Sequence, residues 1–189
     1  MRRIATVLLL IAAGAAFAAA FATRSQVGHP VTARMRAAAR AVAGLPALPL
    51  PDSAQGQPAV IIFIKEGCPC SEAAEACFRR LFTAYGEHVA FLGIIDGEAP
   101  DAERWIQQHE TPYPIVADPD LKVVHAYRAE RSAYVAFVTK EGTVDRLWPG
   151  YSAGMLRDLG AKLASAVGVP EASFDVSDAP DTLTSGCSF

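Results

Sequence analysis

The feature that most constrains this chain is a handover between two kinds of backbone. The apolar run Ala59-Val60-Ile61-Ile62-Phe63-Ile64 is followed almost at once by Gly67-Cys68-Pro69-Cys70-Ser71. A continuous β-branched run predicts a strand buried on both faces, as in a sheet covered by helices on either side. Pro69 suits the first position of a helix, where its missing N–H needs no partner. Cys68 then falls at the N-cap, beside the free N–H groups and the positive end of the helix dipole. Both favour thiolate over thiol, and the thiolate is the nucleophile. Lys65 would add to this effect and Glu66 would oppose it.

The rest of the chain supplies a matching frame. Helix is expected over 71–85, 101–110, 120–127 and 152–167. Strands are expected over 89–95, 115–117, 134–139 and 143–148. The order β-α-β-α-β-α-β-β-α implies parallel crossovers followed by a late hairpin, hence an α/β sandwich with a mixed sheet. The folded domain is expected over 58–168. Before it, 31–43 is helix-compatible, and Leu45-Pro46-Ala47-Leu48-Pro49-Leu50-Pro51 reads as an extended proline-rich stretch, so 23–57 is expected to be a spacer. The tail, 169–189, has no clear periodicity.

The N-terminus carries an address. Met1-Arg2-Arg3 precedes an apolar stretch over 4–22 that ends in Ala20-Phe21-Ala22. Charge before a hydrophobic run, then a small-x-small site, predicts an export signal over 1–22. A stretch of roughly 20 residues is also long enough to span a bilayer. Signal peptide and inner-membrane anchor both stand, and either places the remainder outside the cytoplasm, periplasmic or secreted. Disulfides persist there, and thiols need a dedicated recycling partner. With a formal charge of −3 and no basic run, nothing points to nucleic acid.

Four cysteines are present: Cys68, Cys70, Cys77 and Cys187. Clustered on one short segment, most of them read as redox or metal chemistry rather than as staples. Residues two apart diverge by about 200° on a helix, so a Cys68–Cys70 disulfide needs a non-helical start and would be readily reduced. Cys77 lies about 10.5 Å further along the axis, on the stripe Cys70, Ala74, Cys77, Leu81, and reads as a small core residue. Cys187, in Ser185-Gly186-Cys187-Ser188-Phe189, is either an inert terminal cysteine or a partner for Cys68 or Cys70. A purely structural pairing, Cys68–Cys70 or Cys70–Cys187, is the bland alternative. A metal held by Cys68 and Cys70 with His125 or His88 is another, but no histidine stands at a ligand spacing.

From Val60 to Trp148 the chain resembles the redoxins, the alkyl hydroperoxide reductase/thiol-specific antioxidant family and its membrane-anchored thiol–disulfide oxidoreductase relatives. The segments that carry the resemblance are Phe63-Ile64-Lys65-Glu66-Gly67-Cys68-Pro69-Cys70, Pro114-Ile115-Val116-Ala117-Asp118-Pro119-Asp120, Val124-His125-Ala126-Tyr127 and Phe137-Val138-Thr139-Lys140-Glu141-Gly142. The resemblance implies a thioredoxin-like three-layer sandwich with a mixed central sheet and a nucleophile at Cys68. The chain also departs from the family. The second cysteine of the oxidoreductase branch falls on Ser71, and its cis-proline falls on Ala133. The proline and hydroxyl residue of the peroxidase branch fall on Ile61 and Lys65. That branch's arginine falls on Ala133 too, with Arg131 two residues earlier on the same face of an extended chain. In a copper-delivery branch, the metal-binding histidine falls on Arg131 and the second cysteine on Glu72, which argues against copper.

The expected activity is thiol–disulfide exchange at Cys68, resolved by Cys70 or Cys187, with Lys65, Ser71 and Arg131 in support. A peroxiredoxin-like peroxidase and a non-catalytic binding module with structural cysteines remain as alternatives. Expected partners are protein thiols or disulfides, or peroxide, with no cofactor and no metal.

Overall fold

The computed structural model describes residues 28–48, 50, 51 and 54–189. The expected signal or anchor over 1–22 lies outside these residues. No helix among the described residues is long and apolar enough to cross a membrane.

In chain order the elements are β1 (His29–Pro30), α1 (Ala33–Arg40), β2 (Ala59–Ile64), α2 (Pro69–Tyr85), β3 (Ala90–Ile95), α3 (Ala99–His109), β4 (Ile115–Ala117), α4 (Lys122–Ala126), β5 (Val135–Val138), β6 (Val144–Trp148), α5 (Ala153–Val167) and β7 (Thr184–Ser185). The main sheet runs β4-β3-β2-β5-β6. β2, β3 and β4 are parallel, while β5 is antiparallel to β2 and β6 to β5. The architecture is the expected mixed α/β sandwich.

Strand β2 lies at the centre because all six of its residues are apolar and none is exposed. Alternation sends them to two cores. Val60, Ile62 and Ile64 pack with Phe78 and Leu81 of α2, Trp105 of α3, and Leu156 and Leu159 of α5. Ile61 and Phe63 face the other way, toward Met35 and Ala39 of α1 and Val124 of α4. Burying side chains of this size stabilises by about 1.5–3 kcal/mol each, so the strand that leads into Cys68 is held firmly from both sides.

Two segments differ from expectation. The stretch over 23–57 does not stand off the domain as a spacer where it is described. Val31, Met35, Ala39 and Val42 form an apolar stripe at helical spacing and cover the second face of the sheet. The proline-rich stretch then pairs alongside β6, with Gly44 N–H donating to Val144 O at 2.8 Å and Ala47 N–H to Gly142 O at 2.8 Å. The tail over 169–189 also packs back. Val176 and Ala179 are buried, Thr184 exchanges backbone hydrogen bonds with Tyr151, and β7 pairs with β1. The anchors of the tail are scattered among proline and polar residues with no period of 2 or 3.6 to announce them, and the helical spacing over 31–42 marks a helix without marking where it packs.

Helix α2 is also pinned by a buried acid. Glu75, 3% exposed, accepts hydrogen bonds from the Thr111 and Tyr113 hydroxyls, each at 2.8 Å. Burial pushes its carboxyl above the ordinary 4.5, and the two hydroxyls only partly oppose this. A folded-state value above the unfolded one means that the folded protein holds its proton longer. The contribution is therefore fully present below about pH 4.5 and lost as pH rises through the folded value. Relative to Glu75→Gln, the wild type should lose urea stability as pH increases from 4 toward neutrality; an equal or opposite slope in paired urea titrations would refute this assignment.

Candidate active site

Gly67 turns the chain out of β2 at φ 65°, a left-handed value that glycine adopts at little cost. Pro69 then starts α2, with Cys68 at the N-cap. Cys68 is buried, at 1% exposure. The cap is not closed through its side chain. Instead its sulfur accepts hydrogen bonds from the Ser132 hydroxyl at 3.3 Å and the Cys187 backbone N–H at 3.2 Å.

Both donors come from an antiparallel pairing between the loop before β5 and the C-terminal tail. Gly186 N–H donates to Ser132 O, and Ser132 N–H to Cys187 O, each at 2.9 Å. Arg131 bridges to Ser188, and its guanidinium donates to Gly186 O at 3.1 Å. Ala133, at φ 59°, marks where the loop changes partner. Before it the chain pairs with the tail. From it onward the chain pairs with β2, through Ala133 N–H to Phe63 O at 2.7 Å and Phe63 N–H to Tyr134 O at 3.0 Å. No peptide bond among the described residues is cis.

The environment separates the four thiols. Burial works to raise the Cys68 value, but the Cys187 thiol, the Ser132 hydroxyl, and the N–H groups of Cys187 and Ser71 outweigh it, lowering the thiol from 9.0 to about 6. At neutral pH Cys68 is therefore largely thiolate. Burial, then the adjacent Cys68 charge, pushes Cys70 up to about 12. Burial and Asp178 do the same to Cys77. Cys187 is raised chiefly because its thiol donates to Cys68, with burial second; Lys65 and Arg131 pull the other way.

The structure thus gathers Cys68, Cys70 and Cys187 at one place. The supporting residues lie differently from expectation. Lys65 bonds Asp96 at 2.6 Å rather than Cys68. The Ser71 hydroxyl accepts from Lys65 N–H at 3.1 Å, bracing the turn into the helix. Arg131 holds the tail. Exposed His88 and His125 join no metal-competent cluster, and among the described residues no group of three or more His, Cys, Asp or Glu side chains is arranged to hold a metal. Sequence reasoning missed Ser132. The only signal was its place beside Ala133, the position the resemblance had already singled out.

Removing the Ser132 donor should weaken the thiolate. A hydrogen bond to a charged group contributes about 1.5 kcal/mol or more, so Ser132→Ala should slow iodoacetamide labelling of Cys68 at pH 6 by about tenfold. An unchanged pH profile, read at Cys68 by peptide mass spectrometry, would show that Ser132 does not tune it.

A search of curated proteins returned no match. Among solved structures, the chain is similar to a secreted Mycobacterium tuberculosis disulfide oxidoreductase homologous to Escherichia coli DsbE, at 21% identity over 60% of this chain and 84% of that one, with a TM-score of 0.51. It is also similar to the Xanthomonas campestris bacterioferritin comigratory protein, at 19% identity over 60% and 82% of the chains, with a TM-score of 0.53. A conserved protein from Geobacillus kaustophilus aligns at 19% identity over 72% and 78%, with a TM-score of 0.56. At these identities the likenesses establish the thioredoxin-like fold. The AhpC/TSA family model matches residues 47–172, from the proline-rich stretch through α5. The chain belongs to the AhpC/TSA family, a thioredoxin-like redox family.

Proposed function

We propose that this protein is a thiol–disulfide oxidoreductase working outside the cytoplasm, with Cys68 as nucleophile and Cys187 as resolving thiol. The observation that carries the reading is the Cys68 sulfur, held by the Ser132 hydroxyl and the Cys187 N–H with the Cys187 thiol alongside.

The Cys68 thiolate attacks one sulfur of a partner disulfide. A Cys68–partner disulfide forms, the partner S–S bond breaks, and the other partner sulfur leaves as thiolate. The Cys68 charge has then gone, and with it the main cause of the raised Cys187 value. Lys65 and Arg131 remain to favour the Cys187 thiolate. That thiolate attacks the Cys68 sulfur, forms Cys68–Cys187 and releases the second partner thiolate. An external dithiol restores the pair. Run backwards, the same steps oxidise a partner dithiol.

Cys70 is the weaker resolver, because burial heads the causes that hold it as a thiol and persists after Cys68 is consumed. Peroxide chemistry is less well supplied. Arg131 is engaged with Gly186 O rather than aimed at Cys68, and Ile61 and Lys65 stand where a peroxidase carries proline and a hydroxyl. The lowered Cys68 value counts against a purely structural role for the cysteines.

Cys68→Ser should abolish exchange with a protein disulfide. Cys187→Ser should accumulate the Cys68–partner mixed disulfide and slow turnover about a hundredfold, because an intramolecular thiol is replaced by an external one. Cys70→Ser should retain turnover of the wild-type order. Trapping in Cys70→Ser but not in Cys187→Ser would transfer the resolving role to Cys70, and rapid reaction with peroxide but not with disulfides would favour the peroxidase reading.

The extracytoplasmic assignment is supported by Arg2, Arg3 and the apolar stretch over 4–22; the M. tuberculosis protein of similar fold is itself secreted. Cell fractionation of the full chain should recover it in the periplasmic or membrane fraction, with a mature N-terminus at Thr23 if the segment is cleaved. A cytoplasmic product beginning at Met1 would refute export.

A further inference from the structure

The Cys68 sulfur is closed off by the chain's own C-terminus. Residues 186–189 run extended and antiparallel to 130–132. They use Ser132 O, Ser132 N–H and, at 3.4 Å from Phe189 N–H, Glu130 O. These are the backbone contacts by which an added strand is recognised at a sheet edge. The cysteine of this strand sits on the nucleophile, its own N–H donating to Cys68.

We infer that the edge at Glu130, Arg131 and Ser132 is a docking site for an extended protein segment in which glycine immediately precedes a cysteine and an aromatic residue follows two places later, and that residues 186–189 occupy it as an internal stand-in. The inference rests on the redox reading of Cys68. Two features of the docked tail set the pattern. At Gly186 an added Cβ would overlap the Ser132 hydroxyl and come within 3.1 Å of Cys68 Sγ and 3.2 Å of Cys70 Cβ. Cys68 and Cys70 belong to a buried helix start that cannot recede, so a side chain there drives the strand off the edge. At Phe189 the ring lies 5.9 Å from Lys65 Nζ and packs against the core that contains Phe63 and Tyr134. A partner segment reaches Cys68 only by replacing the tail, because both need the same Ser132 N–H and O.

The test uses the full chain with Cys187→Ser, which keeps the tail but removes its thiol. The probes are acetyl-Thr-Ser-Gly-Cys-Ser-Phe, the same peptide with alanine for its glycine, and the same with alanine for its phenylalanine, each with its cysteine as a mixed disulfide with thionitrobenzoate. Cys68 attacks the peptide sulfur, a Cys68–peptide disulfide forms, and thionitrobenzoate leaves as a coloured thiolate. Mass spectrometry places the adduct on Cys68. The glycine peptide should react about tenfold faster than its alanine counterpart, and the phenylalanine peptide several-fold faster than its own. Adding Gly186→Val, which expels the tail and with it the Cys187 N–H donor, should move the Cys68 pH profile upward and, with rates normalised to attack on dithiobis-nitrobenzoate by the same variant, favour the glycine peptide by about another tenfold; the comparison between peptides stands even if that variant folds poorly.

Equal rates for all three peptides, with Cys68 still attacking dithiobis-nitrobenzoate, would overturn the docking site and leave the redox reading intact. A Cys68 that attacks neither peptides nor dithiobis-nitrobenzoate would overturn both. Oxidised wild type cross-linked as dimers through Cys68 and Cys187 would assign the edge to a second copy's tail and overturn the internal stand-in.

Discussion

A thiolate inside a protein survives only where donors replace the water it has lost. At Cys68 the donors do not come from the helix that carries it. They come from Ser132, just before β5, and from Cys187, near the end of the chain. The backbone pairing between these segments is therefore what makes the site. Without it Cys68 would keep burial, which raises its pKa, and only the Ser71 N–H to oppose it. The helix N-terminus alone does not account for a nucleophile at neutral pH.

The same pairing sorts the other cysteines. One sulfur can hold negative charge because its neighbours give up hydrogen bonds to it, and in giving them they are kept protonated. Cys187 donates and is raised; Cys70, beside the same charge, is raised further by burial. Cys77 lies apart, fully buried beside Arg80 and Asp178, and takes no part. The thiols are thus separated by surroundings rather than by spacing, and the contrast between Cys68 and Cys70 needs no one-turn separation of a helical Cys-x-x-Cys pair.

How much of this was legible in the sequence follows from how local each cause is. The run at Ala59–Ile64 and the proline at position 69 encode their own conformations, and they appear as expected. The stripe Cys70, Ala74, Cys77, Leu81 is a helical period, and all four residues are buried. Ser132 and the tail pairing were not legible, since backbone hydrogen bonds between distant segments leave no periodic mark. Lys65 was misread because the carboxylate that claims it, Asp96, arrives from the end of the neighbouring strand β3. Ala133 stood out in the resemblance as a missing proline and a missing arginine. Its left-handed backbone, which costs a non-glycine residue about 1–2 kcal/mol, instead swings Ser132 away from β2 and toward the tail.

The tail is held unevenly, and this bears on how the site opens. As far as Ser185 it is bound into the domain. Asp178 pairs with Arg80, Ala153 N–H donates to Pro180 O at 2.9 Å, Phe174 lies over Gly160, and Ser185 is fully buried and bonded to His29 O. Beyond Ser185 the hold is a few backbone hydrogen bonds, the Cys187 N–H and thiol on Cys68, the Arg131 contact and the Phe189 ring. A net hydrogen bond contributes about 0.5–1.5 kcal/mol, so releasing residues 186–189 costs a few kcal/mol. Releasing the whole tail would uncover Val176, Ala179 and the core beneath them. Lifting the arm from Cys68 therefore costs far less than freeing its root. A thiol on a short arm with a fixed root returns to Cys68 at high effective concentration, and a resolving cysteine requires this once a partner's sulfur has been captured.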